Sequence, residues 1–236
     1  MKVEIWSDVM CPFCYIGKRR FESGLAMFPQ RDDIEITWKS FQLNPNLQTN
    51  TGKSINEYLA DVKGWSVEEA RQMNARVTEM AAGEGLTFDF DKAVITNSFD
   101  AHRVIQLAKS HGLGDEMEER LFRAYFTEGL DTSDFDTLVK LAAEAGLDPD
   151  ETARVLAGKE FTEEVERDLY EARQIGVRGV PYFVFNDRYA VSGAQSGETF
   201  LGALQKSWSE WSPQPISNDR LEASGGEVCG PDGDCV

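Results

Sequence analysis

Basic residues, histidine, cysteine and long apolar runs are all scarce in this 236-residue chain. Only 24 lysines and arginines stand against 41 aspartates and glutamates, a formal charge of −17. That shortfall opposes generic nucleic-acid binding, which depends on cations neutralising phosphates. It equally opposes attachment to anionic membrane surfaces. No apolar stretch approaches the roughly 20 residues that span a bilayer, so neither nucleic acid nor membrane is expected as a partner. The two histidines, His102 and His111, have no acidic neighbour at ligand spacing, which argues against a metal pair. The N-terminal MKVEIWSD lacks a charged segment followed by an apolar one, so we read no secretory leader and expect a cytoplasmic location. There, structural disulfides are rare, and paired cysteines are more often catalytic or metal-binding.

What is present suits a folded protein: 41% of all residues are apolar and 11% of all residues are aromatic, which fits a globular core. Alternating residues at 2–7 and at 34–43 (IEITWKSFQL) predict two strands. Between them, Tyr15, Ile16, Phe21, Leu25 and Phe28 predict a helix from Pro12 with one buried face. From about 54 to 174 the pattern turns helical, with five or so helices, most of them closed by glycine; Ser66 and Glu69 form a capping-box signature. GVPYFVFNDRYAVSG predicts a hairpin around Asn186-Asp187, followed by a helix from about Ser196 to Trp211. The rest is rich in Pro, Gly, Ser and Asp and reads as a loose tail. The expected organisation is a discontinuous sheet domain, 1–50 with 175–211, interrupted by a helical insertion at 51–174 and followed by a tail, 212–236.

Two of the four cysteines, Cys11 and Cys14, sit three apart at the junction between the first strand and the first helix. Pro12 suits the first helical position, where an N–H would be unpaired anyway. Cys11 then lies near the N-cap, where free N–H groups and the helix dipole favour a thiolate. Cys14, one turn on, shares its face. Cys11 is the candidate nucleophile and Cys14 the candidate resolver of a mixed disulfide. The alternative is half of a zinc site completed by Cys229 and Cys235. That second half has five intervening residues, includes no histidine and lies on the tail, so no metal is expected. Val180-Pro181 precedes a strand, where a proline cannot join a central ladder.

SDVMCPFCYIGKRRFE, NSFDAHRVIQLAK and GVRGVPYFVFNDRYAVSGAQSGETF together resemble the DsbA-like thioredoxin superfamily, and within it the cytosolic FrnE-type branch. The likeness covers about residues 1–210. It implies an α/β, thioredoxin-like fold with a large all-helical insertion, and thiol–disulfide oxidoreductase or disulfide-isomerase activity on protein or small disulfides. Pro181 is then the cis-proline facing the cysteines, with Val180 pairing an incoming peptide and Pro12 and Phe13 beside it. No cofactor is implied beyond the redox-active pair, with glutathione or a dithiol as candidate co-substrate. Periplasmic members carry a histidine between the cysteines; here the dipeptide is Pro12-Phe13. Asp8, a candidate modulator of the Cys11 thiolate or else a helix-entry or solvent-exposed acid, adds negative charge, so a less oxidising couple is expected. The rival within the superfamily is a glutathione-dependent transferase or 2-hydroxychromene-2-carboxylate isomerase. Those relatives generally have serine at the Cys11 position, and SGAQSGETF at a helix start could hold glutathione's carboxylate.

Cys229 and Cys235 bracket the turn-rich GPDGD and are a candidate secondary redox pair. His111 reads as a helix C-terminal residue and His102 as a packing residue on the side of the cysteines. Trp38, Phe41, Trp65, Trp208 and Trp211 are expected mostly in the core, with some as candidates to line a groove beside Cys11.

Overall fold

The computed structural model describes residues 1–49 and 52–211. Cys229 and Cys235 lie outside the described residues. β1 (Lys2–Ser7) sits inside a four-stranded sheet of order β2-β1-β3-β4. It pairs in parallel with β2 (Glu35–Ser40), placing Ile5 opposite Trp38, and antiparallel with β3 (Tyr182–Phe185), placing Ile5 opposite Phe183. A parallel pair needs a crossover, which α1 (Pro12–Ala26) supplies. β4 (Tyr189–Ser192) returns along β3 through Asn186 and Asp187, with φ of 50° and 56°. A two-residue hairpin turn demands such positive angles, and Asn and Asp tolerate them.

One face of the sheet carries the alternate residues Val3, Ile5, Phe183 and Phe185, all fully buried. Phe21 of α1 and Phe200 of α9 (Gly197–Trp211) close over them. The ring centroids lie 5.5 Å apart for Phe21–Phe183 and 4.5 Å apart for Phe183–Phe200. α1 and α9 cross so tightly that a Cβ at Gly24 would meet the Gly197 carbonyl oxygen at 2.5 Å. The obstacle is backbone, which is why glycine stands there.

The opposite face is covered by α8 (Thr162–Gln174). Trp6 Nε1 donates to the Asp168 carbonyl at 3.1 Å. The buried Asp168 carboxylate accepts from the Ser40 N–H at 2.9 Å and Gln106 Nε2 at 2.6 Å, and pairs with Lys39 Nζ at 2.7 Å. A buried carboxylate is tolerable only when its lone pairs are filled in this way.

Seven helices separate β2 from β3: α2 (Ile55–Lys63), α3 (Val67–Gly83), α4 (Phe99–Ser110), α5 (Gly114–Arg123), α6 (Phe135–Glu144), α7 (Pro149–Ala157) and α8. α5 runs on into a π turn over Ala124–Glu128. Ser54 with Glu57, and Ser66 with Glu69, form complete capping boxes. The sequence pattern had indicated about five helices. The additional ones, α2 and α7, have nine residues each, too few turns for a clear 3.6-residue period. β2 also stops at Ser40, short of the expected 43, because the Leu43 N–H is given to the Asp8 carboxylate rather than to a neighbouring strand. Trp38 is buried and Phe41 and Trp208 are partly so; Trp65 and Trp211, 36% and 44% exposed, are the exceptions to a mostly buried set.

Candidate active site

Cys11 is the N-cap of α1, with extended backbone (φ −91°, ψ 109°), and Pro12 follows as the first helical residue. A helix has no internal partner for its first N–H groups. Proline removes one, and the Cys14 N–H reaches the Cys11 carbonyl at 3.0 Å. The first turn contains no acidic side chain, so nothing there cancels the positive end of the helix dipole.

Val180-Pro181 is a cis peptide. The Cys11 thiol donates to the Val180 carbonyl at 3.4 Å, so the loop before β3 and the start of α1 face each other. Two further features hold them in register. A Cβ at Gly17 would lie 2.9 Å from Pro181 Cγ, so the absence of a side chain at Gly17 lets the proline ring rest on α1. The Gly193 N–H donates to the Pro181 carbonyl at 2.8 Å, tying the loop to the segment leading into α9. Cys11, Cys14, Pro12, Phe13, Val180 and Pro181 are therefore gathered in one place. Phe13 points outward, 39% exposed, while both cysteines are buried thiols.

The two sulfurs are not equivalent. Burial pushes the Cys14 thiol well above the usual thiol range, and the hydrogen bond and negative charge of neighbouring Cys11 push it further. The Asp8 backbone and the Ser7 side chain pull the other way without offsetting it. Cys14 thus keeps its proton, while the Cys11 thiol faces the Val180 carbonyl. Around them lie aromatic side chains of the insertion: Phe88, Phe122, Tyr125 and Phe126, with Tyr15 of α1 stacked on Phe122 at 4.9 Å.

Asp8 is neither solvent-exposed nor a helix cap. It is 1% exposed, and its Oδ2 accepts the Leu43 N–H at 2.7 Å. Its Oδ1 lies 3.5 Å from His102 Nε2, an atom that makes no hydrogen bond among the described residues. Burial pulls the proton affinity of His102 down, but Asp8 and then Glu118 more than restore it, so its pKa is raised overall. The sequence reading gave His102 a packing role and missed this acidic partner, which is remote in the chain. His111 caps the C-terminal end of α4 as expected and pairs with Glu151 at 3.1 Å.

Sequence reasoning also missed Ser7, Gly17 and Glu118. Glu118 is buried and accepts from Ser7 Oγ at 2.5 Å. Its signal was available: it falls on the apolar stripe of α5 with Met117, Leu121 and Phe122, where a charge has no solvent reason to be. Among the described residues, no group of three or more His, Cys, Asp or Glu is arranged to hold a metal ion.

A dithiol in the first turn of a helix, fed by the central strand and opposed by a cis-proline at the head of an antiparallel strand, defines a thioredoxin-like site. The chain belongs to the DSBA-like thioredoxin domain family, whose profile matches residues 2–205. It is 38% identical to the probable DsbA oxidoreductase SCO1869 of Streptomyces coelicolor, with a TM-score of 0.84 over 100% of this chain and 98% of that one. It is 28% identical to YwbO of Bacillus subtilis over 204 residues, 86% of this chain and 94% of the relative. The fold is also that of the cytosolic disulfide reductase DsbM of Pseudomonas aeruginosa, at 16% identity and a TM-score of 0.58 over 89% and 96% of the two chains; that protein has also been solved with GSH.

Proposed function

We propose that this protein is a thiol–disulfide oxidoreductase acting on protein or small-molecule disulfides, with Cys11 as nucleophile and Cys14 as resolver. The observation that carries the reading is the asymmetry of the pair: a Cys11 sulfur at a helix start facing the Val180 carbonyl, and a buried Cys14 that holds its proton. Cys11 attacks a substrate disulfide and forms a mixed disulfide, releasing one substrate thiol. Cys14 then attacks Cys11 Sγ, closing the internal disulfide and releasing the second substrate sulfur as a thiolate. The substrate backbone replaces the Cys11 thiol at the Val180 carbonyl, and exposed Phe13 offers it an apolar contact. Pro181 and Gly17 hold that loop in place.

Insulin reduction and refolding of reduced ribonuclease test the proposal. Cys11→Ser and Cys14→Ser should each lose turnover in both assays by at least about a hundredfold, and Cys14→Ser should accumulate trapped partners. Undiminished turnover in Cys11→Ser would overturn it. The rival, a glutathione-dependent transferase or isomerase, has no use for a resolving thiol; it would predict glutathione conjugation that survives Cys14→Ser. Glutathione, seen with DsbM, is the first small thiol to try as co-substrate.

The proposal extends to a cytoplasmic site of action and to Cys229 and Cys235 as a second dithiol exchanging with Cys11 and Cys14. Unchanged turnover and an unchanged disulfide pattern after replacing both tail cysteines by serine would remove the second point; recovery in a periplasmic or secreted fraction would remove the first.

A further inference from the structure

The segment opposite Cys11 is a loop, and a loop that must present a substrate to a sulfur needs a fastening. Val180 and Pro181 have one in the Gly193 N–H, which donates to the Pro181 carbonyl at 2.8 Å. Gly193, with φ 79°, and Ala194 belong in turn to the connection between β4 and α9, which has no regular structure of its own. A side chain of α1 fixes that connection. Arg20 Nη1 donates to the Ala194 carbonyl at 2.7 Å, and Arg20 Nε donates to Glu84 Oε1 at 2.6 Å. Glu84 is the C-cap of α3, the helix whose Val77 and Ala81 are buried in the same apolar cluster as Cys11 and Cys14. One guanidinium thus joins α1, the helical insertion and the segment behind Pro181.

We propose that Arg20 is a positioning residue that fixes the Val180-Pro181 edge for polypeptide disulfides, and so sets a preference for these over small disulfides that lack a peptide group. The inference deepens the oxidoreductase reading above and rests on it. Arg20 acts through a run of three contacts. Its guanidinium holds the Ala194 carbonyl, the adjacent Gly193 N–H holds the Pro181 carbonyl, and the neighbouring Val180 carbonyl faces the Cys11 thiol. A polypeptide must pair its backbone at Val180 while bringing a sulfur into line with Cys11. Both conditions are met together only where the loop is held still, because a misplacement of about 1 Å can cost about a hundredfold in rate. A small disulfide without a peptide group has only the second condition to meet.

Arginine suits the post because its planar fork sends donors in fixed directions. Glu84 anchors one arm and leaves the other aimed at the loop. One turn earlier, the bare Gly17 lets the same loop rest on α1: a Cβ there would lie 2.9 Å from Pro181 Cγ and 3.5 Å from Ala194 Cβ. Arg20 does not work through its charge on the sulfur. It stands nine positions after Cys11, which at a rise of about 1.5 Å per residue is about 13 Å along the helix, and Glu84 neutralises it. The two side chains are 24% and 26% exposed, and ion pairs open to water add little to stability, so the fold should survive their removal.

The test uses the full chain carrying Cys229→Ser and Cys235→Ser, so that only Cys11 and Cys14 report. Arg20→Ala, Arg20→Lys and Glu84→Gln are compared with this parent in three measurements: insulin reduction with dithiothreitol as electron source, reaction of the reduced protein with 5,5′-dithiobis(2-nitrobenzoate), and amide exchange at Gly193. Arg20→Ala should lower kcat/KM for insulin about tenfold or more, mainly through KM, since the lost contact serves bound substrate and transition state alike. Its Gly193 N–H should exchange about tenfold faster, while its reaction with the small aromatic disulfide stays within about twofold. Arg20→Lys keeps a donor for the Ala194 carbonyl and should recover most of the insulin activity; Glu84→Gln still accepts from Nε and should resemble the parent. A variant that merely misfolds uncovers both thiols and shows itself with the small disulfide. A parental KM for insulin in Arg20→Ala would overturn the inference and leave the oxidoreductase reading standing, as would an equal fall with both disulfides. A parent that reduces no insulin would remove that reading, and the role of Arg20 with it.

Discussion

Replacing Glu118 by glutamine should make the protein more stable at neutral pH. Burial holds the carboxyl at about 7 against an ordinary 4.5. Between those two values the folded protein binds a proton that the unfolded chain does not. The contribution to stability is therefore complete below about pH 4.5 and is lost as pH rises through about 7. At roughly 1.4 kcal/mol per tenfold change in proton affinity, the loss amounts to about 3 kcal/mol. Glutamine occupies the same volume, can accept from Ser7 and does not titrate. His102, also raised, has the same sign: its contribution is complete below 6.5 and is lost as pH rises through its folded value. Removing the Glu118 charge weakens the hold on the His102 proton, which trims the gain. Urea unfolding of wild type and Glu118→Gln, with reductant present and at half-unit steps from pH 4.5 to 8, should show the variant gaining about 2 to 3 kcal/mol relative to wild type across the range. Parallel stability curves would refute the reasoning, because they would mean that Glu118 is ionised alike in both states.

Other substitutions separate packing from chemistry. Gly24→Ala drives a methyl into the Gly197 carbonyl at 2.5 Å and should cost about 1 to 3 kcal/mol, read as a fall in melting temperature. Gly17→Ala meets a proline ring at 2.9 Å instead; it should displace the Pro181 loop and lower kcat/KM for insulin reduction about tenfold or more, with a smaller thermal effect. Asp168→Ala leaves the buried Ser40 N–H without its acceptor and takes one of two acceptors from Gln106 Nε2, while Lys39 keeps Glu171, a loss of about 1 to 3 kcal/mol in urea unfolding. Ser66→Ala removes a complete capping box at the start of α3 and should cost about 1 kcal/mol, visible as faster amide exchange in that helix.

Short-range signals told most about the sheet and the thiols. The period-2 alternation in β1, the Asn186-Asp187 turn, Pro12 after Cys11 and the Ser66–Glu69 box each act within a few residues, so each is readable before folding is known. The chain could also be seen to place a proline ahead of β3. What local reading missed depends on partners far away in sequence. Asp8 looked like an exposed or helix-entry acid because nothing beside it announces Leu43 or His102. Glu118 looked like one more acid in DEMEERLF, and only its place on an apolar stripe set it apart. Gly17 could be a helix glycine of no consequence until the ring of Pro181 is found against it. Trp65 and Trp211 fail in the other direction: a general preference of tryptophan for the interior does not say which of five will reach it.

α5 touches the cysteine-bearing region at several separate points. Glu118 meets Ser7, Glu119 meets Tyr15 and Arg19, and Asp115 meets Lys18 and Trp38. The long helical interruption is thus woven into the ground on which the sulfurs stand. Shortening the gene to sheet, first helix and last helix would preserve the CPFC letters but strip away the wall behind them, and both thiols would open onto water as ordinary cysteines.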